Sequence, residues 1–227
     1  MSDTQSKTEE PEALPLESWE AAFLRFETPE EEIGKFIGRL NRLGACEWPR
    51  NAEIVELFCG RGNGLVALQH LGFANIEGVD LSPRLIAQYK GPAHCIVADC
   101  RKLPFEDSTK DVLIVQGGLH HLANLPADLE QTFSEMRRVL RKHGRVMFVE
   151  PWHTPFLSFA HFVSEIPFVR RLSSKMDAFA TMTEHEIRTY SQWLGQPDLI
   201  KKVARAHFVP LYESFAWGKW NFVGTPR

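Results

Sequence analysis

The stretch IVELFCGRGNG, residues 54–64, carries an acid at Glu56 and glycines at 60, 62 and 64. Glycines in such a run let a ligand approach the backbone closely. A carboxylate four residues before Gly60 attracts an ammonium group and repels a phosphate. A second group of reactive residues lies later in the chain. His120 and His121 stand in QGGLHHL, and Glu150 and His153 in FVEPWH. Imidazole takes up and releases protons near neutral pH, so these four are the candidate catalytic residues. The same four could in composition hold a metal, but their spacing matches no ligand pattern, and no metal is expected.

The elements that must position these residues can be read from the apolar pattern. TPEEEIGKFIGRLNRLG predicts a helix. Thr28 caps it, Pro29 fits its first position, and Glu30 to Glu32 suit the positive end. Ile33, Phe36, Ile37, Leu40 and Leu43 make one apolar face, and Gly44 ends the helix. Strand and helix signals then alternate. AEIVELF, NIEGVDL, HCIVADC, DVLIVQGG and RVMFVE read as five strands. GLVALQHLG, SPRLIAQYK and PADLEQTFSEMRRVLRKHG read as the intervening helices, the last stopped by Gly144 with Arg137, Arg138, Arg141 and Lys142 at its C-terminal end. This alternation predicts an α/β fold with a parallel, doubly wound sheet. Residues 151–197 break the rhythm and read as short helices and loops, a substrate-pocket insertion. HFVPLYESFAWGKWNFVGTP predicts two antiparallel strands reversing at Gly218.

Glycines after the first strand of such a sheet would also suit a nicotinamide dinucleotide. The GxGxxG pattern fails, however, because Leu65 stands where the third glycine belongs, and Glu56 would face a pyrophosphate. Glu56-Leu57-Phe58-Cys59-Gly60-Arg61-Gly62 instead resembles the first motif of class I S-adenosylmethionine-dependent methyltransferases, an acid, two residues, then GxG. GVDLS, with Asp80 24 positions after Glu56, VADCRKLPFEDSTKDVLIV with Asp99, QGGLHHL and MRRVLRKHGRVMFVEP follow in that family's order. The resemblance covers residues 54–150 and, more loosely, the closing strand pair. Where the family usually has glycine this chain has Phe58, a substitution shared with some RNA and DNA methyltransferases.

The resemblance implies a mostly parallel, seven-stranded, Rossmann-like sheet with an antiparallel C-terminal strand, and S-adenosyl-L-methionine as cofactor. Glu56 would hold the methionine ammonium, with Phe58, Gly60 and Gly62 around the amino-acid part and ribose. Asp80 would accept from both ribose hydroxyls, with Leu81 beside it. Asp99 would bond the adenine amino group and the Cys100 N–H its ring nitrogen. Gln116 and Gly117 would line the sulfonium end. His120 or His121, after strand four, would face the transferred methyl and could take a proton from the acceptor. Capping or turn roles are the bland alternatives for Asp80 and Asp99, and packing for the histidines.

Composition bounds the rest. A chain of 227 residues with net charge −3 fits one domain, and gives no support to wholesale nucleic-acid or anionic-membrane binding. No apolar run reaches a bilayer span. Residues 1–18 read as a disordered tail and 19–227 as one domain, with 19–45 a helical lid. Cys46, Cys59, Cys95 and Cys100 form no CxxC pair, so free thiols and a cytoplasmic location are expected. After strand four there is neither an Asn/Asp-Pro-Pro-aromatic sequence nor a Pro-Cys pair, so a small-molecule acceptor with a hydroxyl or amine is expected, and no nucleic acid. A non-catalytic cofactor-binding module and a protein or RNA methyltransferase are the alternatives.

Overall fold

The computed structural model describes Ala22 and residues 25–227; the tail expected over residues 1–18, and the first residues of the expected lid, lie outside these. Seven strands form one sheet in the order β3-β2-β1-β4-β5-β7-β6. They are β1 (Ile54–Leu57), β2 (Ile76–Asp80), β3 (His94–Val97), β4 (Lys110–Gln116), β5 (Leu140–Pro151), β6 (Phe208–Ala216) and β7 (Lys219–Pro226). The first five are parallel, and β7 runs antiparallel to both β5 and β6. This is the doubly wound, Rossmann-like architecture that the alternating pattern predicts. The order reverses between β1 and β4, which opens a crevice at the carboxyl ends of the strands.

Alternation along the central strands builds two cores. Leu113 and Val115 of β4 face one layer, with Phe133 and Met136 of α4 (Ala127–Val139) and Ile200 and Val203 of α8 (Pro197–His207). Val112 and Ile114 face the other, with Phe36 and Leu40 of α1 (Pro29–Arg42) and Leu65 and Leu68 of α2 (Asn63–His70). The start of α1 is as expected. Thr28 and Glu31 form a reciprocal capping box, and Pro29 opens the helix. The final hairpin reverses at Trp217 and Gly218, whose φ values of 54° and 72° are those of a tight primed turn.

Three expectations are corrected. The helix expected to run to Gly144 stops at Val139, and Leu140 to Gly144 already belong to β5. Leu140 pairs with Lys110, and a register shift follows before Arg145 pairs with Val112. Arg138, still helical, turns back to bond the Leu103 and Phe105 carbonyls. The helix expected over SPRLIAQYK is a single turn, α3 (Pro83–Ile86), capped by Ser82. The expected short helices of residues 151–197 are α5 (Pro155–Ser164), α6 (Pro167–Leu172) and the 21-residue α7 (Ser174–Leu194).

Candidate active site

The acids singled out from sequence all come to the carboxyl edge of the sheet. Glu56 lies in β1 opposite Gly78 of β2 and Ile114 of β4, Asp80 ends β2, Gln116 ends β4 and Glu150 lies near the end of β5. Asp99 follows β3 by two residues.

Glu56 is 3% exposed. Its Oε1 accepts from Gln116 Nε2 at 3.1 Å, while Oε2 is buried without a hydrogen-bond partner. A buried carboxylate left so is costly, and burial pushes the Glu56 carboxyl up to about 8. An ammonium placed against Oε2 would reverse that cost. The carboxylate lies directly over Gly64, where a Cβ would fall 1.9 Å from Oε1. The third glycine of the opening stretch therefore makes room for the acid. Gly60 and Gly62 have φ of 53° and 85°, and Gly62 hands the chain into α2.

Asp80 is held by backbone donors. Its Oδ2 accepts from Gly60 N and its Oδ1 from Ser82 N, each at 2.8 Å. These bonds fix the carboxylate and leave each oxygen a further lone pair for a diol. Capping of α3 falls to Ser82, whose hydroxyl accepts from Leu85 N, so capping does not account for Asp80. Leu81 is 69% exposed beside it, an apolar surface of the kind a planar base covers. Asp99 is held by Arg101, whose guanidinium also reaches Asp128. The hydrogen bonds from Arg101 keep the Asp99 carboxyl below its ordinary range. The Cys100 thiol contacts Thr132, and burial pushes it up to about 11, so it is a packing group and not a nucleophile. Together, the orphaned Glu56 oxygen, the glycine cradle and the oriented Asp80 fit a ligand with a cationic amino-acid end and a ribose, as S-adenosylmethionine has.

Phe58 adopts φ 56°, the left-handed region, which explains why glycine is usual in this place. Its ring lies against Gly118, where a Cβ would meet Phe58 Cγ at 2.3 Å. Phe58 thus packs the cofactor loop onto the loop after β4.

That second loop is organised by Glu150, which is fully buried. It accepts from Gly118 N and Leu119 N, each at 2.9 Å, and its Oε2 lies 2.8 Å from His120 Nδ1. Burial raises the Glu150 carboxyl, but His120 and the two backbone donors outweigh it and hold the group below its ordinary range. His120 is itself buried and packs on His121, ring centroids 4.2 Å apart. A Cβ on Gly117 would lie 3.9 Å from His120 Cε1, so the imidazole borders the expected sulfonium end. His153, the other candidate catalytic residue after β5, does not join this pair. His153 is exposed and faces Ser158, because Glu150 points back along β5 toward the β4 loop. Among the described residues no group of three or more His, Cys, Asp or Glu side chains could hold a metal ion.

The sequence reading missed Arg39. It sits on α1 beside the apolar face, and its Nη1 donates to Gln116 Oε1 at 3.0 Å, joining α1 to the Gln116–Glu56 pair. Glu32 of α1 likewise accepts from Asn63 at the start of α2. Tyr190 of α7 adds a wall: its ring lies edge-on to His120 at 6.0 Å and its hydroxyl is 3.1 Å from His161 Nε2. An arginine at i+3 from Phe36 was the available signal for Arg39, but periodicity does not say which surface a helix meets.

Comparison with known proteins gives the family. Residues 55–148, from β1 to within β5, match the family described as "Methyltransferase domain". A ubiquinone/menaquinone biosynthesis C-methyltransferase from Geotalea daltonii is 28% identical over 159 residues, 63% of this chain and 66% of that protein; the chain thus spans a little under two thirds of that relative. A demethylmenaquinone methyltransferase from Beutenbergia cavernae is 30% identical over 171 residues, 71% of this chain and 67% of that protein. The fold is similar to the crystal structure of the PH0226 protein from Pyrococcus horikoshii, with a TM-score of 0.68 at 22% identity over 94% of this chain and all of that one. The chain belongs to the class I S-adenosylmethionine-dependent methyltransferases, and S-adenosylmethionine is its cofactor.

Proposed function

We propose that this chain transfers a methyl group to a small, largely apolar acceptor that carries an ionisable hydroxyl, with His120 as the base and Glu150 as its positioning residue. The observation that carries this reading is the buried Glu150–His120 pair beside Gly117. Glu150 accepts at Nδ1, which makes Nε2 the basic nitrogen and stabilises the imidazolium once a proton arrives. The bonds from Gly118 N and Leu119 N keep the carboxylate ionised in a buried place.

S-adenosylmethionine supplies a methyl on a positively charged sulfur that leaves as a neutral thioether. The rest falls to the chain. Glu56 would hold the cationic amino-acid end, with Gln116 and Arg39 fixing the carboxylate from one side. Asp80 would hold the ribose, Leu81 and Asp99 the adenine, and Phe58 and Gly118 set the distance between the two loops. Tyr190, His161 and the apolar side chains of α5–α7 would enclose the acceptor, and α1 with α5–α7 would exclude water. An acceptor hydroxyl gives its proton to His120. The resulting anion would be the nucleophile for the methyl that S-adenosylmethionine supplies, with Glu150 holding the imidazolium.

The sequence alone suggested oxygen or nitrogen as the accepting atom. The Geotalea relative is named for C-methylation, and a deprotonated ring hydroxyl makes its ortho carbon nucleophilic as well as its oxygen. Carbon is therefore the atom we favour; the ring proton then leaves to solvent. The test is S-adenosylhomocysteine release across hydroxylated aromatic acceptors, followed by mass spectrometry of the product. Turnover on such an acceptor, lowered about 100-fold or more by Glu150→Gln with its acidic pH limb moved to lower pH, supports the reading. Turnover only on amines, proteins or RNA, or a Glu150→Gln enzyme with an unaltered pH profile, overturns it.

A further inference from the structure

We infer that the outer face of α5 and α6, with the tip of the β6–β7 hairpin, docks this protein on the surface of an anionic lipid bilayer. Helix α5 buries Leu157 and exposes Ser158, yet it also presents three aromatic rings to solvent. Its polar residues His161 and Ser164 face inward, His161 toward Tyr190 and Ser164 buried, while Phe156, Phe159 and Phe162 point outward. Phe159 and Phe162 are each 64% exposed, Phe168 and Leu172 of α6 69% and 71%, and Trp217 at the hairpin tip 76%. The Phe156 and Trp217 rings meet edge to face at 5.3 Å, which joins the two elements into one patch. The five aromatic rings together expose roughly 600 Å², taking about 200 Å² for each full ring. That is the largest patch size expected of a monomer and marks an interaction site.

The kind of partner follows from composition and charge. Phenylalanine and tryptophan on the open face of short helices suit the boundary between headgroups and acyl chains. Within residues 155–175 the charged side chains are Arg170, Arg171 and Lys175 against the single acid Glu165, although the chain as a whole carries −3. Arg170 is paired with Asp177 and Glu184, and Lys175 with Glu31. Arg171 stands exposed between Phe168 and Leu172, with no ion pair among the described residues, placed to meet an anionic headgroup. A second copy of this chain is the other occupant such a face could take, and sedimentation below separates it from the bilayer. No described helix is long and apolar enough to cross a membrane, so the contact is one of lying on the bilayer. The inner side of α5 carries His161, which meets Tyr190 of α7, itself edge-on to His120. On the proposed function, an apolar acceptor would then pass from the bilayer to the site by a short path; the docking itself does not rest on that reading.

The test is flotation of the full chain with vesicles of phosphatidylcholine alone and with vesicles of a two-to-one mixture with phosphatidylglycerol. The chain is expected to float with the mixed vesicles, several-fold less with the neutral ones. The Phe159→Ser/Phe162→Ser variant should lose partitioning by at least about tenfold, and Arg171→Glu should remove the preference for the mixture. Unchanged S-adenosylhomocysteine binding in both variants shows that they are folded. A parent that binds S-adenosylhomocysteine but stays off both vesicles overturns the proposal, as does flotation untouched by the double variant. So does a dimer, seen by sedimentation, that the double variant dissolves. A chain that floats as expected but turns over no hydroxylated acceptor refutes the proposed function and leaves the docking intact.

Discussion

Replacing Glu56 by glutamine should stabilise the cofactor-free protein and weaken its affinity for the cofactor. Burial pushes this carboxyl from its ordinary 4.5 up to about 8. The folded chain therefore keeps a proton on Glu56 after the unfolded chain has lost its own. The advantage is fully present below pH 4.5 and is lost as pH rises through about 8, at about 1.4 kcal/mol per pH unit. By pH 7 the loss is about 3 kcal/mol. Glutamine fills the same space over Gly64, can accept from Gln116 Nε2 and never ionises. Urea unfolding at pH 5, 7 and 8.5 should find the two proteins similar at pH 5 and the variant more stable by a few kcal/mol at pH 8.5. Calorimetry with S-adenosylhomocysteine should show the reverse order. The parent's affinity rises from pH 6 to pH 7.5, with proton release. The variant binds about 100-fold more weakly, having lost a charge-assisted bond. A stability difference that does not change with pH, or a parent more stable at pH 8.5, would refute the reasoning.

Three further outcomes follow. Gly64→Ala places a methyl 1.9 Å from Glu56 Oε1; circular dichroism should show a folded protein, and calorimetry a loss of cofactor affinity of at least tenfold. Phe58→Gly should be more stable than Phe58→Ala by about 1 kcal/mol in urea unfolding, because only glycine accepts φ 56° without strain; equal stabilities would mean that the loop relaxes. Glu150→Ala, which strands the Gly118 and Leu119 N–H groups and His120, should cost about 3 kcal/mol or more of stability. Glu150→Gln should cost much less, since its amide oxygen can still accept from both.

The sheet was legible because its signals are local. A buried strand needs a continuous apolar run, and the helices after β1 and β2 open at a glycine or at a capping hydroxyl followed by proline, each with one physical use. The gathering of the candidate cofactor residues was legible for the same reason: Glu56, Asp80 and Gln116 lie in or at the ends of strands and Asp99 just beyond one, and parallel strands bring those ends to one edge. What escaped is set by contacts distant in sequence. RVLRKHGRV continues a helical pattern, yet Leu140 pairs with Lys110 and ends the helix early. Helix α7 was hidden because it packs against α5, α6 and the His120 turn at once, so its apolar residues do not form one stripe. Arg39 faces the site only because α1 crosses over Gln116. The pairing of Glu150 with His120 rather than His153 depends on a strand-to-loop geometry that spacing alone does not encode.

Glu56, Asp80 and the glycines between them are proposed to hold S-adenosylmethionine. The most direct test is calorimetric titration of the full chain with S-adenosylhomocysteine, beside an Asp80→Ala variant shown to be folded. One site per chain is expected, weakened about 100-fold or more in the variant, since two charge-assisted bonds to the ribose are removed. A folded parent that binds no S-adenosylhomocysteine, or an Asp80→Ala variant that binds it as well as the parent, would contradict it.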